Sequence, residues 1–459
     1  MADTIFDQDD HDEDFSLDRS LVSEVRLAVA TGNKARLSEI LEPMHPADLA
    51  DLLEQVDHGL RREIFLLGRE VFDGEVLSEL DESLREEAID FLPDDVVSEA
   101  VRELETDDVV DLVEDLDEPQ QEAILDALED ADRVAVEQAL SWPEDSAGRL
   151  MQREFVAAPE HWNVGQAIDF LRTETELPEQ FYHVIIVDPR LKPTGYVTLG
   201  RLLASPRETL LTSLEEDTFR TIRVTQEEED VAYAFNQYHL ISAPVVDEDD
   251  RLIGVITIDD AMAVLDEEHE EDILRLAGVG ETSLSDRVTE TIMARFPWLF
   301  VNLITAILAS MVIAQFEATI AQYVALAVLM PIVASMGGNA GTQALTVAVR
   351  SLATKDLTSS NLWRVIKREA LVGLANGVMF AVVLGLVGYI WFDSALLGGV
   401  LAAAMIVNLV IAGLAGILVP VSLEKMGIDP ALASGAFVTT VTDIVGFFAF
   451  LGLAGAILL

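Results

Sequence analysis

Polar and apolar positions follow three different rhythms along these 459 residues. Between 19 and 145, apolar residues recur at three- and four-residue steps in short stretches. Examples are Pro46–Glu54 (PADLADLLE), Asp107–Glu114 (DDVVDLVE) and Pro119–Leu128 (PQQEAILDAL), each opened by Asp or Pro. That period predicts short amphipathic helices, and the loose likeness of the units predicts an all-α helical array, a superhelix. Residues 1–18 are acidic and poor in large apolar groups, so a disordered tail is expected there. From 146 to 272 the rhythm shortens and repeats. The first copy holds Val184-Ile-Ile-Val-Asp188 and then Gly195-Tyr-Val-Thr-Leu; the second holds Ala243-Pro-Val-Val-Asp247 and then Gly254-Val-Ile-Thr-Ile. Asp and Gly are seven residues apart in both, and a helical stretch (Val164–Leu171, Val231–Tyr238) precedes each. The predicted order is strand, helix, strand, turn, strand, helix in each of two units, 146–215 and 216–272. A long helix is expected over 261–296, with Gly278 and Gly280 as breakers. Beyond 297 the polar positions thin out. Five apolar runs, at about 299–316, 323–349, 370–392, 395–423 and 431–459, are long enough to cross a bilayer as helices.

Charge sharpens the division. Residues 297–459 hold seven of the 82 acids and six of the 29 bases, so nearly all of the net −53 lies before them. Such acidity disfavours nucleic acid, because phosphate contacts need Lys and Arg. It fits either divalent-cation binding or a halophilic, salt-rich cytoplasm. The 5 Lys against 24 Arg, and acids spread over most exposed helical positions, favour salt adaptation as the bulk cause. Without cysteine there is no disulfide or thiolate metal site. The acidic N-terminus is unlike a signal peptide. Basic residues mark the connection between the second and third runs (Arg350, Lys355, Arg364, Lys367, Arg368) and, through Lys425, that between the fourth and fifth. The positive-inside rule then places the N-terminal region in the cytoplasm and the C-terminus outside the cell membrane.

The candidate chemistry centres on Asp443, near the middle of the last run. A carboxylate there costs roughly 3 kcal/mol or more, so it normally faces a polar cavity or a partner: it reads either as a protonated Asp bonded to a neighbouring helix or as a ligand on a cation pathway. No Lys, Arg or His lies within the apolar runs to neutralise it. Gly435, Ala436, Thr439, Thr440, Asp443 and Gly446 fall on one helical stripe, while Phe437, Val438, Val441, Ile444, Val445 and Phe448 cover the other side. Asp429 and Pro430 read as the N-cap and first position of this helix. The second run contains Pro331-Ile-Val-Ala-Ser-Met-Gly-Gly-Asn-Ala-Gly-Thr-Gln343. Gly337 and Gly341 suit close helix packing. Alternatively, the carbonyl freed by Pro331 and the amides of Asn339 and Gln343 suit a pore lining. Asn302, Asn376 and Asn408 read as bridges between helices. The run Glu267-Glu-His-Glu-Glu-Asp272 reads as a solvated face or, along one stripe, as a seat for a hard cation with water. It is not a zincin motif, because Ile273 stands where the second His would be.

The doubled pattern of 146–272 resembles a tandem pair of CBS domains. That resemblance implies an α/β pair and allows one adenine-nucleotide (ATP-type) site at Thr257 and Asp260, within Gly254-Val-Ile-Thr-Ile-Asp-Asp260. The first copy has Arg201 where that Asp would be. The competing reading is that Thr257 and Asp260 only cap the next helix.

Taken together the pieces resemble the MgtE family of magnesium channels and transporters, over nearly the whole chain. The most specific matches are Pro331…Gly337-Gly-Asn-Ala-Gly-Thr-Gln343 and Asp429-Pro430…Ser434…Thr439…Thr442-Asp443. The resemblance implies a multidomain membrane protein with an all-α N domain (19–145), a CBS pair, a connecting or plug helix (261–296) and a five-helix membrane domain (297–459). It implies a homodimer with a Mg²⁺ pore on its two-fold axis, where Asp443 meets the hydrated ion near Gly338 and Thr342, with Asn339 and Thr439 beside them. Some members have Asn where this chain has Gly435. Regulatory Mg²⁺ is implied at Asp259, Asp260, Glu267, Glu268, Glu271, Asp272 and Asp429. No enzyme activity is expected. Two other readings stay open: a CBS-gated transporter of another divalent cation such as Co²⁺ or Mn²⁺, and a poreless, membrane-anchored nucleotide sensor.

Overall fold

A computed structural model describes residues 17, 19–114, 116–174, 177–178, 180–216, 219–280, 288–433 and 435–459. The expected disordered tail lies, apart from Leu17, outside the described residues. The chain forms two compact units, 1–265 and 266–459.

The first unit opens with the short helices α1 (Arg19–Ala30), α2 (Lys34–Leu41), α3 (Pro46–Glu54), α4 (His58–Leu67), α5 (Gly74–Ser78), α6 (Glu82–Phe91), α7 (Asp94–Val101), α8 (Thr106–Glu114), α9 (Glu118–Ala127) and α10 (Asp130–Ala139). The aspartates at their starts work as caps. Asp57, Asp73 and Asp117 accept from the backbone N–H groups of Leu60, Val76 and Gln120. Each satisfies a donor the helix cannot use itself. The apolar stripes meet in one core around Leu37, Leu49, Leu53, Ile64, Phe65, Leu77, Leu84 and Leu112.

The repeat folds twice in the same way. The first copy is β1 (Ala157–Pro159), α11 (Val164–Thr173), β2 (His183–Val187), β3 (Pro193–Thr198) and α12 (Leu199–Ala204). The second is β4 (Ile222–Arg223), α13 (Glu228–Tyr238), β5 (Ser242–Val246), β6 (Leu252–Thr257) and α14 (Ile258–Ala277). In each sheet the first strand runs parallel and the third antiparallel to the central one. The spacing shared by the two copies has a local cause. Asp188 accepts from the N–H of Arg190 and Lys192, and Asp247 from the N–H of Asp249 and Arg251. Each loop then carries one residue with positive φ, Leu191 or Asp250, before the next strand. The central strands of the two copies meet where the His183 imidazole bonds the Ser242 hydroxyl at 2.5 Å; burial lowers the pKa of His183 to about 4.

The second unit contains α15 (Val288–Ala314), α16 (Glu317–Gln322), α17 (Ala325–Ala353), α18 (Leu362–Phe392), α19 (Ala395–Lys425) and α20 (Gly435–Leu458). Among the described residues, five helices are long and apolar enough to cross a membrane, as the five runs predict. The long helix expected over 261–296 is interrupted. α14 ends at Gly278, whose φ of +71° stops it, and from Val288 the chain already belongs to α15, with Pro297 inside that helix. α19 is the central element. Leu401, Ala404, Met405 and Leu409 are buried against Leu326, Leu329 and Val333 of α17 and Phe450, Leu451 and Ala454 of α20.

Candidate functional site

α20 begins later than the sequence suggests. Asp429 caps a separate 3-10 turn, Pro430–Leu432, by accepting from the Ala431 N–H at 2.7 Å, and the membrane helix starts at Gly435. Its buried line also differs from a division into small and large sides. Val438, Thr442, Gly446, Phe450 and Ala454 are buried, and Val438 is wholly enclosed. Gly341 of α17 makes room for it: a β-carbon there would lie 2.6 Å from Val438 Cγ1. Thr439 and Asp443 flank this line and are half-buried.

Close packing brings several expected residues together. A β-carbon on Gly338 would sit 3.1 Å from Thr439 Cγ2, and one on Gly435 would sit 3.7 Å from Thr342 Oγ1. Gly338 and Thr342 of α17 therefore face Gly435 and Thr439 of α20. Next to them α17 carries an exposed polar line of Ser335, Asn339, Thr342, Gln343 and Thr346. These residues recur at steps of about one turn, so they share one face of the helix. Polar groups on a membrane-spanning helix normally face a bundle interior or a water-filled cavity rather than lipid.

A second group of expected residues meets at the end of α14. Arg275 donates to Asp429 Oδ2 at 2.5 Å and pairs with Glu271 one turn earlier. Burial, and then the nearby Asp429 carboxylate, raise the pKa of Asp272. Leu276 packs against the apolar cluster that includes Ala431, Ala433 and Val438, where α20 begins. Glu267 is exposed and Glu268 half-buried on the preceding turns.

Asp259 and Asp260 lie elsewhere, in the first unit, among acids that the sequence did not single out. Burial, then Glu154, push Glu105 up to about 7. Burial, then Asp111 and Asp259, push Asp108 up to about 6. Asp107 is buried and raised well above the ordinary carboxylate range, by burial first and then by Asp260. Asp260 itself rises to about 7, mainly from burial. The start of α8 thus meets the start of α14. The only sign of this in the sequence is the run Glu105-Thr-Asp-Asp108, which reads like any other acidic helix start. Asp260 accepts from both the Thr257 N–H (3.3 Å) and the Thr257 hydroxyl (2.7 Å), the Asp half of a capping box at the start of α14. In the first copy Thr198 caps α12, and Arg201 pairs with Glu216 at 3.1 Å. Among the described residues no three carboxylates or imidazoles converge as a ready ligand set.

A family model described as "Divalent cation transporter" matches residues 330–453, which span the polar line of α17 and Asp443. Another, "MgtE intracellular N domain", matches 44–145, and a "CBS domain" model matches 218–267, the second copy. The magnesium transporter MgtE of Thermus thermophilus is 30% identical over 449 residues, covering 96% of this chain and 99% of its own. The chain belongs to the MgtE family. MgtE of Enterococcus faecalis is 33% identical over 319 residues (70% of each chain), and that of Bacillus subtilis 28% over 441 (95% and 97%). The crystal structure of the cytosolic domain of the Mg²⁺ channel MgtE in complex with ATP is 28% identical. It covers 53% of this chain and 99% of its own, with a TM-score of 0.49. MgtE membership makes this a multi-pass membrane protein of a magnesium-transporting family, with a helical N domain, a CBS pair and five membrane helices.

Proposed function

We propose that the chain is a Mg²⁺ uptake channel or transporter, that its ion path runs between α17 and α20, and that internal Mg²⁺ closes it. The observation that carries this reading is the exposed polar line Ser335–Asn339–Thr342–Gln343–Thr346 beside the half-buried Asp443. Those groups need water or a second copy of the chain, and a two-fold homodimer with a wet axis supplies both. Asp443, with the oxygens of Asn339, Thr342 and Thr439 and the backbone at Gly338, then meets the ion. Mg²⁺ sheds water reluctantly and prefers six oxygens in octahedral geometry. A lining with one carboxylate per subunit suits an ion that keeps its water, and two facing carboxylates prefer a divalent to a monovalent cation.

Closure rests on the other two acidic groups. Mg²⁺ with its water would bridge Glu271, Asp272 and Asp429, with Glu267 and Glu268 as outer carboxylates, and hold α14 against the start of α20. It would likewise offset the repulsion among Glu105, Asp107, Asp108, Asp259 and Asp260. Without the ion these carboxylates repel and the contacts loosen. The orientation that fits has the N-terminus in the cytoplasm and the C-terminus outside. The remaining negative charge suits a halophilic cell. An adenine nucleotide at the CBS pair would have to draw Thr257 and Asp260 out of their cap.

Mg²⁺ flux into liposomes holding purified protein tests the path. Asp443→Asn should abolish it while the thermal unfolding profile is kept. Wild-type flux through a folded Asp443→Asn protein removes Asp443 from the path. Flux of Co²⁺ or Mn²⁺ without Mg²⁺ would select the transporter of another ion. No flux of any divalent cation from the wild type would leave the membrane-anchored sensor.

A further inference from the structure

Asn408 lies within α19, the helix that packs between α17, α18 and α20, and its side chain is wholly buried. Its Nδ2 donates to the Val333 carbonyl of α17 at 2.8 Å. Its Oδ1 has no hydrogen-bond partner among the described residues. Two glycines frame the amide. A β-carbon on Gly446 of α20 would lie 2.9 Å from Nδ2 and 3.0 Å from Oδ1, and a β-carbon on Gly337 of α17 would overlap the amide outright. Gly337 adjoins Gly338, and Gly446 follows Asp443 by one turn. One side chain therefore acts as a wedge between the two helices that carry the residues of the ion path.

The chemistry makes this choice informative. An apolar side chain of the same size would fill the space without leaving a carbonyl unpaired in a low-dielectric interior, where that is costly. What the amide adds is direction. Its bond to Val333 fixes the rotamer, and the fixed amide sets how near Gly337 and Gly446 approach. Leucine, with no donor for the Val333 carbonyl, would leave the spacing less defined.

We propose that Asn408 is a positioning residue for ion selectivity, which holds α17 and α20 at the separation that suits hydrated Mg²⁺. This rests on the reading that Asp443, Gly338, Thr342 and Thr439 line the path. Its role is carried through helix spacing, and it does not itself meet the ion. Selectivity is a difference between two affinities, so a looser spacing moves the ratio between ions even where Mg²⁺ still passes.

The test is the flux ratio of Mg²⁺ to Ca²⁺ in liposomes for the full chain, with Asn408→Leu, the milder Asn408→Ser, and Gly446→Ala, which presses on the same amide from α20. The ratio should fall by roughly tenfold in Asn408→Leu, in the range that small misplacements of a binding constellation produce. It should fall less in Asn408→Ser, and fall in Gly446→Ala although Asn408 is intact. If the folded variants keep the wild-type ratio and lose only thermal stability, Asn408 is a structural bridge and the proposal fails. Asp443→Asn in the same assay separates the two readings. Full flux there overturns the ion path and this proposal with it. Lost flux there, with unchanged ratios in the Asn408 and Gly446 variants, overturns this proposal alone.

Discussion

Arg275 and Asp429 are 154 residues apart in the chain and 2.5 Å apart in the fold. The guanidinium also holds Glu271, so one fixed cation already sits among the carboxylates of the proposed closing site. Arg275 is a resident competitor for the position Mg²⁺ would take.

Replacing it should therefore sharpen the response to the ion. In Arg275→Gln, the Mg²⁺ concentration that protects residues 266–280 from proteolysis should fall by roughly tenfold, the size expected when a competing charge-assisted contact is removed. Without Mg²⁺ the same segment should be cut faster than in the wild type. Equal midpoints in a Mg²⁺ titration would mean that Arg275 does not compete.

The acids around α8 and α14 predict a pH response. Their folded pKa values (about 7 for Glu105 and Asp260, about 6 for Asp108) lie above those of free carboxyls. A group raised in the folded state favours folding while it can stay protonated. That contribution is lost as pH climbs from near 4 through its folded value. In Mg²⁺-free buffer, backbone hydrogen exchange at residues 105–108 should be slow at pH 5.5 and faster at pH 8 after correction for intrinsic rates. Mg²⁺ at pH 8 should restore protection. A corrected rate that stays flat across this window, or falls, would contradict the sign.

Helix packing in the membrane unit gives a third expectation. A methyl at position 341 would meet Val438, and the Gly341 carbonyl is already within 2.7 Å of the place a β-carbon on Gly416 would occupy. Gly341→Ala should cost about 1–3 kcal/mol, the usual penalty for overpacking a filled core. Thermal unfolding in detergent should show a lowered midpoint. A truncation of Val438 in the same protein should recover part of the loss.

At the CBS pair, Thr257→Val removes the hydroxyl bond to Asp260. Losing that bond predicts a cost of about 1 kcal/mol and a lower unfolding temperature. Titration of the full chain with ATP separates capping from ligand contact: a cap alone leaves any affinity unchanged, whereas contact with a ribose would weaken it.

Much of this molecule can be read locally. Five apolar runs became five membrane-length helices, because a helix that must satisfy its own backbone in lipid has to be long and apolar. The twofold spacing from Asp to Gly became two sheets of one topology, because each Asp side chain ties down its own turn. The break at Gly278 follows from a single residue in the same way. α20 begins at Gly435 and not at Pro430, because Asp429 and Pro430 suit the start of a 3-10 turn as well as that of an α-helix.

The tertiary structure decided which of many similar acids meet. Asp107 and Asp57 both look like the start of a helix in sequence, yet Asp57 caps α4 while Asp107 is buried against Asp260. It also chose Val438 for the buried line of α20, through the space left at Gly341, and Asn408 as the wedge between two helices. Periodicity records which face of an element is apolar. Only packing settles what that face meets, because a contact across 75 or 154 residues depends on the register of helices that no local pattern encodes.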